Sequence, residues 1–399
     1  MKILVANIGS TSFKFRLFDF DGGAERQLAA GGVDRIGERA GGKLSFRAAG
    51  GQPAERPCPC RDHAEAVKAC LAETVAAGAL ERPEALDAVA FKAVMGGEID
   101  PVVFVDEAVL AAMERYVPAA PVHNPAYIAA MRSFRTALPG TPLIAAFEPG
   151  FHRTIPPRRH LYAAPPEWAE KYGVRRWGYH GASHRWVAER TAELMGPRAR
   201  RIVSCHLGGS SSLCAIRDGV SVANSMGFSP QSGLPQGTRA GEFDPFALGL
   251  LARQTQMSLE QMLAALGSRA GLAALSGTGG DMRDIESAAL AGDGRAALAL
   301  EVYVTAARDY LGAYLLELGG ADAVVFTGGI GQKSPLVRER VCRGLEFAGV
   351  ILDAGKNAAA EGEERIDADA SPAALWVLPT NEELIVARQA AELLMEADK

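Results

Sequence analysis

Residues 2–19 read KILVANIGSTSFKFRLFD, and residues 201–218 read RIVSCHLGGSSSLCAIRD. Each stretch has an apolar run, a polar residue, a turn of small residues, a second apolar run and an acidic residue. Asn7 falls opposite His206, Gly9 opposite Gly208 and Ser12 opposite Ser211. Apolar runs bounded by small turn residues predict β-hairpins, and Asp21 with Gly22 and Asp218 with Gly219 predict the next tight turns. Two hairpins alike in polarity and turn chemistry, half a chain apart, indicate two similar lobes rather than a solenoid. The 399 residues agree, because one hydrophobic core rarely serves so long a chain.

Outward from the hairpins, helix and strand signals alternate. Residues 62–77 have helical periodicity, and 86–94 (LDAVAFKAV) and 142–147 read as buried strands. Residues 182–194 read as a helix begun near Ser183, a potential cap. A strand at 322–327 enters the loop GGIG, a short strand lies at 375–378, and 383–395 form a closing helix. The apolar stretch 299–318 carries Glu301, Arg308, Asp309 and Glu317, so it predicts an amphipathic helix and not a membrane span. Residues 41–61, rich in Gly, Pro and Arg, predict a surface excursion. Alternating elements predict an α/β class.

The net charge of -5 argues against general nucleic-acid binding. The start, MKILVANIGS, lacks the long apolar run and cleavage site of a secretory signal. None of the six cysteines forms a CxxC pair or has a histidine at zinc-site spacing. Cys58 and Cys60, in PCPC, and the other four are expected to be reduced thiols in the cytoplasm.

Three glycine-rich segments follow strands: 7–12 (NIGSTS), 206–212 (HLGGSSS) and 327–331 (TGGIG). Small side chains let backbone N–H groups approach an anion, hydroxyls add donors, and Lys14 brings a point charge. None is a GxxxxGK[ST] loop or a GxGxxG fingerprint. Together they predict a nucleotide held between two lobes. His180 and His184, four apart, hint at a metal pair. Gly181 between them and the lack of a following Glu favour a polarising His180 and a structural His184 instead. Arg239, in LPQGTRAGEFDP, could place a guanidinium on phosphoryl oxygens. Glu382 and Glu383, after a strand, could hold Mg²⁺ or supply charge at a helix N-terminus.

Taken together, NIGSTSFK, VHNPA, FHRTIP, RRWGYHGASH, SCHLGG, SMGFSPQSGLPQGTRAGEFDP, VVFTGGIG and LPTNEELIVAR resemble the acetate/propionate kinases, in that family's order and over nearly the whole chain. The resemblance implies two ribonuclease-H-like lobes, the duplicated actin-like ATPase fold, with the active site in the cleft, usually in a homodimer. It implies an N-terminal lobe over 1–150, closed by a C-terminal helix over 384–399, and a nucleotide-binding lobe over 151–383. It implies ATP-dependent phosphorylation of a short-chain carboxylate, with ATP/ADP and Mg²⁺ (or Mn²⁺), no nucleic acid, no membrane and a cytoplasmic setting.

Position by position, the resemblance puts Asn7 and Ser12 by the transferring phosphoryl group and Lys14 near it. His180 and Arg239 stabilise transition-state charge. Glu382, beside the easily confused Glu383, coordinates the metal with Asn7. His206, Gly208, Gly209 and Ser210 touch ATP phosphates. Asp281, Met282, Arg283, Gly329 and Ile330 form the adenosine pocket, and Val94, Val122, Tyr179 and Pro230 line the pocket for the acid. Two departures fall on functional positions. Lys92 stands where the family has a substrate-binding arginine, and Glu148 where it has a catalytic aspartate. They leave open a preference for propionate or butyrate, or a catalytically impaired nucleotide-binding regulatory homologue.

Overall fold

The structure, a computed structural model, describes residues 1–9, 11–21, 24–38 and 41–397; Ser10 of the first glycine-rich segment and Gly22 of the first predicted turn lie outside them. The chain divides into two compact units, Met1–Gly150 with Asn381–Lys399, and Phe151–Thr380.

Unit 1 is built on eight strands: β1 (Lys2–Ile8), β2 (Ser12–Asp21), β3 (Ala24–Asp34), β4 (Lys43–Ala48), β5 (Ala54–Pro57), β6 (Ala88–Ala93), β7 (Val102–Phe104) and β8 (Leu143–Phe147). Their order is β5-β4-β3-β2-β1-β6-β8-β7. β1, β2 and β3 run antiparallel, whereas β1, β6 and β8 run parallel. Unit 2 has β9 (Arg201–His206), β10 (Ser212–Arg217), β11 (Val220–Asn224), β12 (Ala323–Thr327), β13 (Glu364–Arg365) and β14 (Ala374–Val377). Their order is β11-β10-β9-β12-β14-β13, again with an antiparallel meander leading into parallel neighbours. Both sheets therefore share a central plan of strands 3-2-1-4-5, the ribonuclease-H-like arrangement, and the echo between the two hairpins is a duplication of structure.

The central strands are nearly continuous apolar runs because both their faces are covered. Ile3, Leu4, Val5 and Ala6 of β1 and Ala323, Val324, Val325 and Phe326 of β12 are all buried. In unit 1 the helix Glu382–Ala397 packs on β1 and β6. In unit 2 the helix Gly294–Leu318 packs on β9 and β10. That helix is the amphipathic stretch expected from its charges, capped by Asp293 and closed by Gly319 in the left-handed region at φ 70°.

Three expectations need correction. Residues 41–61 are not a plain surface excursion, since β4 and β5 extend the first sheet. Leu44 and Phe46 alternate into the core, and that two-residue period outweighs the surrounding Gly and Pro. Ser183 is no cap: the helix Gly181–Met195 starts at Gly181, with His180 in the capping position. The strand expected at 375–378 is shifted to Ala374–Val377.

One buried charge ties unit 2 together behind its third glycine-rich segment. Arg338 is fully buried. It donates to the carbonyls of Gly331 (2.9 Å), Gln332 (2.8 Å) and Asn357 (2.7 Å), and to the Asn357 side chain (2.7 Å). Burial pulls its pKa down to about 10, and carbonyl dipoles rather than a carboxylate hold the cation. Arg338→Ala strands several buried acceptors and opens a cavity, so it is expected to cost about 3 kcal/mol or more. Urea unfolding checks this, and a loss under about 1 kcal/mol would contradict the structural role.

Candidate functional site

In unit 1 the polar groups gather at the ends of the parallel strands. Lys92, on β6, places its ammonium 2.5 Å from Glu382 and 3.8 Å from Glu148. Glu148 directly follows β8, and Glu382 opens the helix Glu382–Ala397. These three side chains are only 20%, 7% and 12% exposed. Burial opposes the Lys92 charge, but the carboxylates of Glu382 and then Glu148 outweigh it and hold its pKa above the ordinary lysine value. Glu383 turns elsewhere, to Arg16 at 3.5 Å, and Asn381 accepts from Arg16 at 2.9 Å. The two adjacent glutamates, confusable in sequence, are thus separated by their partners.

Asn7, at the end of β1, accepts from the buried Tyr127 hydroxyl at 3.3 Å, and Ile8 N–H donates to the same oxygen at 3.2 Å. Ser12 opens β2, and Lys14 is exposed beside Asn7 in the strand register. Val94 is buried just after β6, whereas Val122 is 51% exposed. Asn124, buried in VHNPA, donates to the carbonyls of Met95 and Met113, both at 2.8 Å, and so fixes the segment after Val94.

In unit 2 four glycine-bearing segments converge. Leu207 N–H donates to Thr327 O at 2.8 Å, and Leu207 O accepts from Ile330 (2.8 Å) and Gly331 (3.0 Å). Gly328 makes this approach possible: its φ is +76°, and a Cβ there would sit 2.6 Å from Leu207 O. A Cβ on Gly208 would lie 3.7 Å from Gly329 N. Gly237 N–H donates to Gly209 O at 3.2 Å, and a Cβ on Gly237 would lie 3.5 Å from Gly280 O. Gly209 and Gly329 face open space. Backbone amides with open space before them can approach an anion closely.

Beside these loops Arg239 donates to Gln236 Oε1 (3.0 Å), Pro230 O (3.3 Å) and Ser210 Oγ (3.4 Å). Gln236 in turn donates to Pro230 O at 2.8 Å. Burial lowers the pKa of Arg239, which nonetheless remains a cation at neutral pH. His180 stacks on His206 with ring centres 4.4 Å apart. Its Nδ1 lies 2.7 Å from Ser212 Oγ, which also lies 2.9 Å from His184 Nε2. His184 Nδ1 meets Ser204 Oγ at 2.8 Å, and His206 Nδ1 meets Ser183 Oγ at 2.8 Å. Burial drives the pKa of His184 well below the ordinary histidine value and that of His152 down to about 4. Both are therefore neutral supports. His152 donates to Tyr179 O at 3.2 Å, and the Tyr179 hydroxyl donates to Phe228 O at 2.8 Å.

The expected adenosine residues differ in their settings. Gly329 and Ile330 belong to the glycine cluster, at the start of a short helix, Gly328–Lys333. Asp281 and Arg283 pair with each other at 2.5 Å near the surface. Met282 is buried among the hydrophobic residues of the unit 2 core, so only its backbone can face a ligand. Sequence reasoning gave no individual role to Tyr127, Ser204, Ser212 and Gln236, which carry no charge and act as hydrogen-bond partners of Asn7, His184, His180 and Arg239. The spacing of His180 and His184 was a signal, but for a shared serine rather than a metal. Among the described residues no group of three or more His, Cys, Asp or Glu could hold a metal ion.

Known proteins align with the chain over nearly its full length. The profile described as "Acetokinase family" matches residues 2–388. The acetate kinase of Shouchella clausii (strain KSM-K16) is 41% identical, covering 98% of this chain and 99% of that protein. The acetate kinase of Thermotoga maritima is 42% identical, covering 99% of each. Among solved structures, Porphyromonas gingivalis acetate kinase aligns at a TM-score of 0.87 and 34% identity, covering 98% of this chain and 99% of that one. A propionate kinase from Francisella tularensis subsp. tularensis SCHU S4 aligns at 0.88 and 30% identity, covering 97% and 98%. With that match spanning both units, the chain belongs to the acetokinase family.

Proposed function

We propose that this protein reversibly transfers the γ-phosphoryl group of ATP to a short carboxylic acid, acetate first, in the cytoplasm. The carrying observation is Arg239, held by Gln236 and Pro230 within reach of Ser210 beside the converging glycine loops. A carboxylate nucleophile is ionised at pH 7 and needs no general base. The protein's part is then positioning and charge stabilisation. In this reading His206, Gly208, Gly209 and Ser210 hold the ATP phosphates. Arg239 and His180 meet the charge that develops on the phosphoryl oxygens. Gly329 and Ile330, with the backbone at Asp281, Met282 and Arg283, hold the adenosine. Buried Tyr179 and Pro230 on unit 2 offer apolar surface to the acid's alkyl end.

Mg²⁺ suits the oxygen donors of unit 1. It keeps much of its water and takes one or two carboxylates plus substrate phosphates, so Glu382 with the Asn7 amide oxygen suffices and a three-ligand cluster is not needed. Bound there, it supplies charge neutralisation to phosphate oxygens. Lys92, already salt-bridged to Glu382, competes for that carboxylate. The same pairing favours a second reading, a nucleotide-binding homologue with impaired transfer.

The helices Phe246–Thr255 and Leu259–Ser268 leave Phe246, Leu250, Leu259 and Leu263 exposed. An apolar face of this kind supports self-association into a homodimer.

A coupled assay with ATP, Mg²⁺ and a panel of acetate, propionate and butyrate tests the activity. Wild type is expected to turn over acetate, and Arg239→Ala to lose about 10³-fold in kcat while keeping ATP affinity. Nucleotide binding without transfer to any acid would replace the enzyme with the second reading.

Lysine offers a point charge where arginine grips a carboxylate with two parallel bonds. Lys92→Arg is therefore expected to lower the KM for acetate several-fold, with the larger gain when paired with Glu148→Asp, since the two side chains share one site. Steady-state kinetics on both single variants and the double check this. Higher KM in all three would mean that Lys92 and Glu148 are matched to each other.

Sedimentation velocity tests the assembly. The wild type is expected as a dimer and the double variant Phe246→Asp/Leu250→Lys as a folded monomer. A monomeric wild type at micromolar concentration would remove the homodimer.

A further inference from the structure

The sequence PCPC, expected to carry reduced thiols, has a defined geometry in the structure. Cys60 N–H donates to Cys58 O at 2.9 Å, closing a three-residue γ-turn around Pro59. Proline fixes φ near −65°, close to the value the central residue of an inverse γ-turn requires. The turn sets both thiols on one side, with their sulfurs 3.4 Å apart. The two side chains are shielded, at 8% and 5% exposure, but Pro57, Pro59 and Arg61 around them are exposed. All six cysteines are free thiols.

The turn is also wired to the first glycine-rich segment. Cys60 O accepts from Gly37 N–H at 2.9 Å, and the neighbouring Ile36 N–H donates to Thr11 O at 2.9 Å. Three residues beyond Cys60, His63 Nε2 donates to Gly9 O at 3.0 Å. Cys58 N–H donates to Gly42 O at 2.8 Å, and a Cβ on Gly42 would sit 2.1 Å from Cys58 O, so the backbone here is packed too closely to shift unnoticed.

We propose that Cys58 and Cys60 are a thiol–disulfide exchange site whose closure shifts the turn holding Thr11. The co-reactant is a low-molecular-mass disulfide such as oxidised glutathione. One cysteine thiolate attacks a sulfur of that disulfide, the S–S bond breaks, and one small thiol leaves with a proton. The second cysteine then attacks the mixed disulfide, forms the Cys58–Cys60 bond and releases the second small thiol. Two protein thiols are oxidised and one small disulfide is reduced to two thiols. A disulfide needs its sulfurs at about 2.05 Å, so the pair must close by about 1.4 Å, and that motion falls on the Cys60 carbonyl that holds Gly37. Burial, with the Cys58 hydrogen bond, pushes the Cys60 thiol up to about 12. Exchange therefore quickens as pH rises toward that value, because the thiolate is the attacking form. That the loop served is a phosphate loop rests on the proposed kinase activity; the exchange itself does not.

The test uses the full chain with oxidised glutathione and reads no enzyme activity. Intact mass is expected to fall by two hydrogens, peptide mapping to place the new bond within residues 58–60, and dithiothreitol to reverse it. Cys70→Ser should behave as wild type, and Cys58→Ser should form no internal bond. Amide hydrogen exchange at Ile36 and Gly37 should accelerate about tenfold or more in the oxidised form. A stable glutathione adduct, a bond that uses Cys70, or an unchanged mass at pH 8.5 would each overturn the site (about the ordinary cysteine pKa). A closed disulfide with unchanged exchange at Ile36 and Gly37 would overturn the coupling.

Discussion

The close passage of two backbones at Leu207 is the constraint on which unit 2 depends. Leu207 spends both its backbone groups on the segment 327–331, donating to Thr327 and accepting from Ile330 and Gly331. Only a residue without Cβ can stand at Gly328, where φ is +76°. This contact locks the end of β9 to the end of β12, so His206, Gly208, and the open positions Gly209 and Gly329 share one small region. Arg338 holds the same segment from behind through the carbonyls of Gly331 and Gln332. A buried cation held by carbonyls fixes them without adding a negative charge near a site suited to anions.

Unit 1 solves a different problem with a different material. Its site end brings Lys92 to Glu382 and Glu148 in largely buried positions, where a charge is costly unless paired. The lysine provides that pairing internally. Its shorter, compact head reaches Glu382 fully and Glu148 only at 3.8 Å, and the extra methylene of glutamate at 148 shortens that gap. Lys92 and Glu148, the two positions expected from the resemblance to differ from the family pattern, thus meet at one place.

The repeated hairpins, the alternation of elements and the glycine segments were legible in the sequence because each follows from local chemistry: side-chain period, turn residues, a missing Cβ. Strand positions mostly held within a residue or two, since a run such as AVVF has one low-energy use when both its faces are covered. What escaped was decided by partners far along the chain. The two-residue alternation of Leu44 and Phe46 was masked by Gly and Pro on either side. Ser183 has the residue type of a helix cap, yet its hydroxyl serves His206. Val122 is half exposed, and the Met282 side chain packs in the core, which leaves its backbone for a ligand. Tyr127 and Ser212 reach Asn7 and His180 only through folding, whereas Gln236 is a near neighbour of Arg239 in the chain and is marked there by no charge.

The serine shared by two imidazoles has a consequence of its own. His184 is held neutral by burial, so one of its ring nitrogens carries a proton and the other a lone pair. If Nε2 carries the proton, it donates to Ser212 Oγ, whose hydroxyl donates to His180 Nδ1; a neutral His180 then presents N–H at Nε2. If Nε2 of His184 carries the lone pair, the hydroxyl turns toward it, Ser212 accepts from His180 Nδ1–H, and Nε2 of a neutral His180 becomes an acceptor. Ser204, at the far nitrogen of His184, can complement either order because a hydroxyl both donates and accepts. The sign of the dipole that His180 offers is therefore written in the order of a few protons along a serine–histidine wire, and reversing that order inverts it while every heavy atom stays in place.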